Sequence, residues 1–314
     1  MKNARKLTEG AMLLAIFAVL LLITIYIPLL GMIVNFFIAI PFIMFAAKND
    51  WKWSAVFVVA SILISLIVGS VQALPIALPF ATTGAVMGFL IQRKKSRITI
   101  SVASTLVFLV NIIGIYAVTV VFFHMDIIQE SIKALQESIN MSAEMLKKLG
   151  QGAQADKTIE QFNHALSLLN TLVPTLFVIG SLFFVLIIQL VSFPIIKRFG
   201  IQVGMWSSLK DVKLPKSILW YLLITLAASI ILNPHQGTFL YAALINLTYI
   251  LQFLMIFQGY TLLFFFFDLK GMSKGVSITL AILAFIVPIF LYIIGILGII
   301  DLGFDLRKRF EKKE

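Results

Sequence analysis

The stretch TEGAMLLAIFAVLLL, residues 8–22, decides the fold. It follows a basic start and continues as apolar residues long enough to form a membrane span. Small residues fall along one side of the predicted helix: Gly10, Ala11, Ala15 and Ala18. They share a side because positions three and four apart lie on one face, and small side chains let another helix backbone approach closely. The stretch therefore predicts a membrane helix whose small-residue face, at Ala11, Ala15 and Ala18, packs closely against another helix, either of this protein or of a partner.

The composition extends this prediction to the whole chain. Of 314 residues, 61% are hydrophobic and 12% are charged, whereas a soluble domain has roughly 25% charged residues. The net charge is +11, and in a membrane protein such an excess of Lys and Arg residues normally lies in the cytoplasmic loops. No basic stripe is interleaved with aromatic residues, as a nucleic-acid-binding site would be. The absence of cysteine excludes disulfides, thiolate metal sites and a cysteine nucleophile.

The apolar residues form nine stretches, at about 10–30, 31–47, 53–70, 73–92, 98–124, 168–196, 217–233, 238–267 and 276–300. Helices are expected, because a chain in lipid must satisfy its backbone hydrogen bonds internally. A membrane barrel would need alternating polarity, and runs such as residues 262–267 do not alternate. The sequence predicts an all-α polytopic protein, with six helices at the front and about three at the rear.

Lys and Arg residues predict the topology. Of the 25 Lys and Arg residues, 16 lie in the N-terminal segment or in alternate loops after it. Because basic residues concentrate on the cytoplasmic side, this pattern places the N-terminus in the cytoplasm. After nine spans the basic tail would lie outside, against this rule. Either the tail is an exception, or one of the last three stretches does not cross, with 217–233 and the Pro288-containing stretch as the candidates. We expect nine crossings, and the alternative of eight stays open.

One polar insertion, at about 125–167, interrupts the spans. It carries a net charge of −2, which suits the outer face, and its apolar residues repeat at helical spacing on both sides of Gly150-Gln151-Gly152. We expect an external helical hairpin that either extends the neighbouring spans or serves as a lid or partner-binding arm. The basic segment 197–216 suggests a domain boundary, with residues 1–199 in front and residues 200–314 behind.

The sequence offers little catalytic chemistry. The three histidines lack a second ligand at metal-binding spacing, and no nucleotide or hydrolase motif is present. The acids lie outside the apolar stretches, so no carboxylate is expected within the membrane. We therefore predict no enzyme, no metal and no cofactor.

Neutral polar residues within the spans are the remaining candidates for a pocket: Asn111, Asn246, Gln252 and Gln258. They could recognise an uncharged small molecule, or simply form hydrogen bonds between helices. Gly84 and Gly88 form a GxxxG pattern predicted to pack against another helix. The two prolines before this pattern, Pro75 and Pro79, could instead open a cavity.

The front part resembles the substrate-binding S components of energy-coupling factor vitamin transporters. The similarity lies in residues 8–15, the Pro-rich fourth span, and Gly84 to Gly88 followed by a basic turn. That resemblance implies six helices with both ends cytoplasmic, and a first helix whose Ala-x-x-x-Ala pattern docks a membrane partner. Ala11 and Ala15 match that pattern.

Over nearly its whole length the chain resembles the YybS-like family of uncharacterised bacterial membrane proteins. The matching residues are Phe257-Gln258-Gly259 and the ending from Gly298 to Arg309. This resemblance implies a multi-pass protein of the bacterial plasma membrane and carries no established activity. We expect transport-related binding of a small molecule, with a structural or regulatory protein of the cell envelope acting through helix contacts as the alternative. The expected partners are the bilayer, a membrane protein at the first helix, and a small-molecule ligand, with no nucleic acid.

Overall fold

The computed structural model describes residues 2–204 and 208–311, which are predominantly helical and contain no strand. The all-α prediction is therefore confirmed. The described residues form two compact units, unit 1 within 1–130 and 177–206, and unit 2 within 131–176 and 207–314. Most of the predicted hairpin thus belongs to unit 2, and the domain boundary at residue 199 stays a prediction.

The helices are, in chain order, α1 (Lys2–Tyr26), α2 (Pro28–Val34), α3 (Ala39–Lys48), α4 (Trp51–Gly69), α5 (Leu74–Gln92), α6 (Arg97–Phe123), α7 (Ile127–Lys148), α8 (Gly152–Thr171), α9 (Val173–Arg198), α10 (Ser217–Leu232), α11 (Phe239–Leu269), α12 (Lys274–Ile286), α13 (Pro288–Phe304) and α14 (Leu306–Glu311). Side chains cap several of them at predicted turns. The carboxylate of Asp50 accepts from Trp53 N at the start of α4, and Ser96 and Thr238 cap α6 and α11 in the same way.

The number of helices that can span a membrane falls short of nine. Among the described residues, seven helical segments are long and apolar enough, or eight if the pair α12 and α13 forms one bent span. The two stretches whose crossing of the membrane was left open differ from the other spans. Helix α10 has only 16 residues, and α12 and α13 meet at 110°. A polytopic protein is confirmed, whereas nine crossings and the side of the tail stay predictions.

The last apolar stretch differs from the expected single helix. It breaks at Val287, whose backbone is extended (φ −96°, ψ 111°), and resumes at Pro288. Proline causes this break because it disfavours helical geometry in the residue before it and cannot donate a backbone hydrogen bond. The resumed helix runs to Phe304, so Asp301 lies within a helix and not in the charged tail.

Unit 1 is organised around an apolar core. Phe42 packs edge-on against Phe17 and Phe57, with ring centroids 5.1 and 5.3 Å apart, and all three are buried. The predicted glycine pair lies where α5 meets α3. A Cβ atom on Gly84 would be 2.8 Å from Ala39 O, and one on Gly88 would be 2.5 Å from Ile43 O. Both glycines therefore allow the two backbones to approach closely.

Unit 2 has a still tighter crossing, between α11 and α13. A Cβ atom on Gly259 would be 1.9 Å from Ile294 O, and one on Gly298 would be 2.0 Å from Met255 O. The space beside Gly259, next to Gln258, is filled by the backbone of α13. This contact brings the ends of α11 and α13 close enough for polar side chains to meet.

Candidate functional site

A buried polar cluster lies beside the α11–α13 crossing. The Gln258 amide donates to Asp301 Oδ2 at 2.6 Å, and Arg307 Nε donates to the same oxygen at 3.1 Å. Arg307 Nη2 also donates to Thr261 Oγ1 at 2.7 Å. Gln258 and Asp301 are fully shielded from solvent, and Arg307 is 8% exposed. Because a buried carboxylate is costly without a counter-charge, Arg307 is the group that makes Asp301 tolerable here.

The same cluster fixes an irregular segment of backbone. Leu214 N donates to Gln258 Oε1 at 2.8 Å, and Arg307 Nη1 donates to Lys210 O at 2.5 Å. Residues 209–214 contain only a short 3-10 turn and so leave several backbone groups without helical partners. Gln258 and Arg307 supply two of those partners, so the cluster ties this segment to α11.

Ion pairs hold the segment at its exposed edge. Asp305 accepts hydrogen bonds from the ammonium groups of Lys213 and Lys216, and these bonds hold the pKa of the Asp305 carboxyl well below its ordinary value. Lys210 pairs with Asp268 at 2.6 Å, and this hydrogen bond raises the pKa of the Lys210 ammonium. Asp268 and Asp305 thus each pair with lysines in or beside the segment, which is fixed at both its buried and its exposed sides.

One atom of the cluster has no partner. Asp301 Oδ1 is buried and accepts no hydrogen bond. Its neighbour Oδ2 accepts two, so the carboxylate serves chiefly as the acceptor that joins α11, α13 and Arg307 of α14. The arrangement is suited to holding helices and a backbone segment together, and it presents no nucleophile–base pair.

The prediction that acids lie outside the apolar stretches is wrong for Asp301. Residues 298–302 read GIIDL, and the apolar residues on both sides of Asp301 continue the helix. That continuity was the available signal, and a last apolar stretch predicted to end at residue 300 left it unused. The two stretches that carry the YybS-like resemblance, Phe257-Gln258-Gly259 and Gly298 to Arg309, meet in this cluster.

The four predicted pocket residues are divided between the units, with Asn111 in unit 1 and the other three in unit 2. The Asn111 amide donates to Thr82 Oγ1 and Val107 O within unit 1. The Asn246 amide donates to Thr171 O and Ala242 O, and its oxygen accepts from Thr175. Gln252 is exposed on α11. Asn246 and Gln258 lie about 18 Å apart along that helix, at 1.5 Å per residue. Three of the four thus bond within the protein, each to different neighbours.

Helix α1 presents the predicted docking residues on an outer face. Ala11 and Ala15 are exposed and Ala18 is half-buried, whereas Leu13 and Phe17 are buried in the core of unit 1. Gly10 does not lie on the same exposed face as the alanines, because it is buried against the ring of Phe45. The larger exposed residues beside the alanines are Met12, Ile16 and Val19. The other helices of unit 1 therefore leave the Ala11–Ala15 face open.

A basic groove of about 590 Å³ lies at the start of the same helix. It is lined by Arg5, Lys6, Thr8, Glu9, Met12, Lys48 and Asn49. Lys48 pairs with Glu9 at 2.8 Å and Lys6 lies 3.8 Å from Asp50, so the groove holds three cations and one acid in its lining. Thr8 and Met12 connect the groove to the Ala11–Ala15 face.

Unit 1 also holds polar atoms buried without hydrogen-bond partners. Ser101 Oγ donates to Gln189 Oε1 at 3.0 Å, but Gln189 Nε2 has no partner. Five hydroxyl oxygens are likewise buried without a hydrogen-bond partner among the described residues: those of Thr83, Ser104, Thr105, Ser181 and Ser192. Sequence reasoning missed these residues, because single serines and threonines are ordinary in membrane helices.

Comparison with known proteins gives a family and no activity. The family described as "Predicted membrane protein (DUF2232)" matches residues 15–302. The chain is 28% identical over 309 residues to the uncharacterized protein YybS of Bacillus subtilis (strain 168), covering 98% of this chain and 99% of that one. No solved structure matches. The chain therefore belongs to the DUF2232 family of predicted membrane proteins.

Proposed function

We propose that this membrane protein acts by docking a helix of another membrane protein against α1. The supporting observation is the open face at Ala11 and Ala15, directly behind the buried Leu13 and Phe17. In lipid, helices associate by close packing, and small residues let two backbones approach. The rest of α1 is held by the core of unit 1, so the docking face is presented by a rigid element.

The basic groove favours a partner with an acidic group near the end of its helix. Arg5 and Lys6 lie one to two turns before Ala11, on the side of the helix that carries Thr8. A carboxylate there would gain charge-assisted hydrogen bonds while the alanine face packs against the partner helix. The resemblance to S components implies docking at the same two alanines.

Replacing both alanines with tryptophan tests the proposal. We expect Ala11→Trp together with Ala15→Trp to remove the partner from protein purified out of its native membranes, because indole rings would hold the backbones apart. Leu106→Trp is the matched control, since Leu106 is 57% exposed on α6 of the same unit. Unchanged co-purification with the double variant would contradict the proposal, provided the variant remains folded by thermal unfolding.

A second candidate function is the binding of a small uncharged molecule in unit 1, as in a transport-related binding protein. It is favoured by the buried polar atoms of unit 1 that have no hydrogen-bond partner among the described residues, Gln189 Nε2 being one of them. A ligand that satisfied them would raise the thermal unfolding midpoint of the full chain. Screening a panel of vitamins and metabolites tests this, and Gln189→Leu should abolish any stabilisation found. A ligand that stabilises the wild type and the variant equally would bind elsewhere.

The proposal includes a topology in the bacterial plasma membrane with the N-terminus inside. It rests on the Lys and Arg residues of alternate loops. Because the chain lacks cysteine, a single introduced cysteine reports one position. In intact cells, a membrane-impermeant thiol reagent should label Leu149→Cys in the hairpin and leave Lys94→Cys unlabelled. The reverse pattern would overturn the orientation.

A further inference from the structure

A groove of about 350 Å³ lies between α11 and α12 in unit 2. Aromatic and aliphatic side chains of both helices line it: Phe253, Phe257, Tyr260 and Phe264, with Ile278 and Phe285. The Tyr260 hydroxyl donates to Ala281 O at 3.4 Å, so the polar end of this ring is already bonded to the floor of the groove. Along α11 the lining covers about 16 Å, at 1.5 Å per residue.

Positive charge lies at one end of this groove. Lys274 precedes Ile278 by four residues, so it occupies the same face of α12 one turn beyond the lining. The acid nearest in sequence, Asp268, is paired with Lys210. The end of the groove at the turn is therefore basic, while its length is apolar.

We propose that this groove binds one acyl chain of an anionic phospholipid, with the phosphate held by Lys274. The apolar lining matches a hydrocarbon chain and the Lys274 ammonium matches a headgroup phosphate. A partner helix is about 10 Å across without its longer side chains and is too wide for a groove of this volume. The break at Val287, which ends α12 one turn beyond Ile282, limits the groove at the other end.

Lipid binding to the purified full chain in detergent tests the proposal. Phosphatidylglycerol and phosphatidylcholine with identical acyl chains are compared by native mass spectrometry and by the shift of the thermal unfolding midpoint. We expect the anionic lipid to bind more tightly, and Lys274→Gln to weaken it by about fivefold, the effect of removing one lysine charge near a lipid surface. Lys94→Gln, in unit 1, is the charge control and should bind as the wild type does.

Filling the groove tests the acyl-chain part. Ala281 is 8% exposed at the groove floor, and Ala281→Phe should abolish binding of both lipids, whereas Leu280→Phe on the outer face of α12 should not. Equal binding by Ala281→Phe and the wild type would overturn the proposal. Equal affinity for the two lipids together with no effect of Lys274→Gln would overturn the headgroup assignment.

A second measurement does not depend on a bulky substitution. In this cysteine-free chain, Ala281→Cys adds a single sulfur atom. We expect phosphatidylglycerol to slow its reaction with a lipophilic maleimide, and to leave the reaction of Leu280→Cys unchanged. Equal protection of both positions, or of neither, would show that no lipid occupies the groove specifically.

Discussion

Two helix–helix crossings in this protein pack closely through pairs of glycines, but the side chains beside the glycines differ. In unit 1, Gly84 and Gly88 bring α5 against α3, and the atoms beside them belong to the backbone and to apolar side chains. In unit 2, Gly259 and Gly298 bring α11 against α13, and Gln258, Asp301 and Arg307 bond directly beside them. Close backbone packing therefore has a second role in unit 2, because it positions a buried ion pair that fixes a non-helical segment.

Breaking the ion pair should have the largest effect. Arg307→Met leaves Asp301 buried and unpaired and removes the donor to Lys210 O. We expect a loss of about 4 kcal/mol, since an uncompensated buried charge typically costs 3–5 kcal/mol. The double variant with Asp301→Asn should recover part of that loss. Thermal unfolding in detergent measures both, and equal losses in the single and double variants would contradict the pairing.

Gly259→Ala should be the next most damaging change. Its Cβ atom would overlap Ile294 O, a backbone atom that cannot turn away, so the helices must separate. We expect a loss of about 3 kcal/mol. A reporter cysteine at Ser277 in unit 2 should become more reactive, while one at Ser65 in unit 1 should not, because both serines are buried in the wild type. Equal changes at both reporters would mean that the two units unfold together.

Gly88→Ala should disturb unit 1 more mildly. The new Cβ atom would lie 2.5 Å from Ile43 O and 2.7 Å from the Cβ of Ala46. We expect a loss of about 2 kcal/mol, reported by the Ser65 cysteine. Gly114→Ala is the matched control, since a Cβ atom there meets nothing within 4 Å and the gain in helix propensity is about 0.8 kcal/mol. If Gly88→Ala proved as neutral as the control, the close approach in unit 1 would be disproved.

The smallest effect should come from Asp305 at the exposed edge. Lys213 and Lys216 lower its pKa in the folded protein, so its contribution to stability is complete above the ordinary value of 3.8. The contribution falls as the pH drops below that value. Asp305→Asn should therefore lower the unfolding midpoint slightly at pH 6, and the difference from the wild type should shrink below about pH 3.8. If the difference in unfolding midpoint between Asp305→Asn and the wild type grew as the pH fell, the assignment of a lowered pKa to Asp305 would be contradicted.

The sequence predicted the helices well because each depends on local composition. The apolar stretches, the polar hairpin and the glycine pair at 84 and 88 could all be read from neighbouring residues. The contact of Gly259 with Ile294 could not, since it depends on which helices pair. Asp301 lies just beyond the last apolar stretch, which the sequence predicted to end at residue 300, and its partner Arg307 lies beyond the end of the helix. Residue type alone could not show that Asn246 and Gln258 lie about 18 Å apart along α11 and bond to different neighbours, and the pocket of Asn111, Asn246, Gln252 and Gln258 stays a prediction.

The proposed contact between the Ala11–Ala15 face of α1 and another membrane protein can be tested by photo-crosslinking in native membranes. A photo-crosslinking residue is placed at Ala15 and, separately, at the control position Leu106. We expect a discrete protein adduct at Ala15 that is lost in the Ala11→Trp variant, with no discrete adduct at Leu106. Absence of an adduct at Ala15, or the same adduct at both positions, would contradict it.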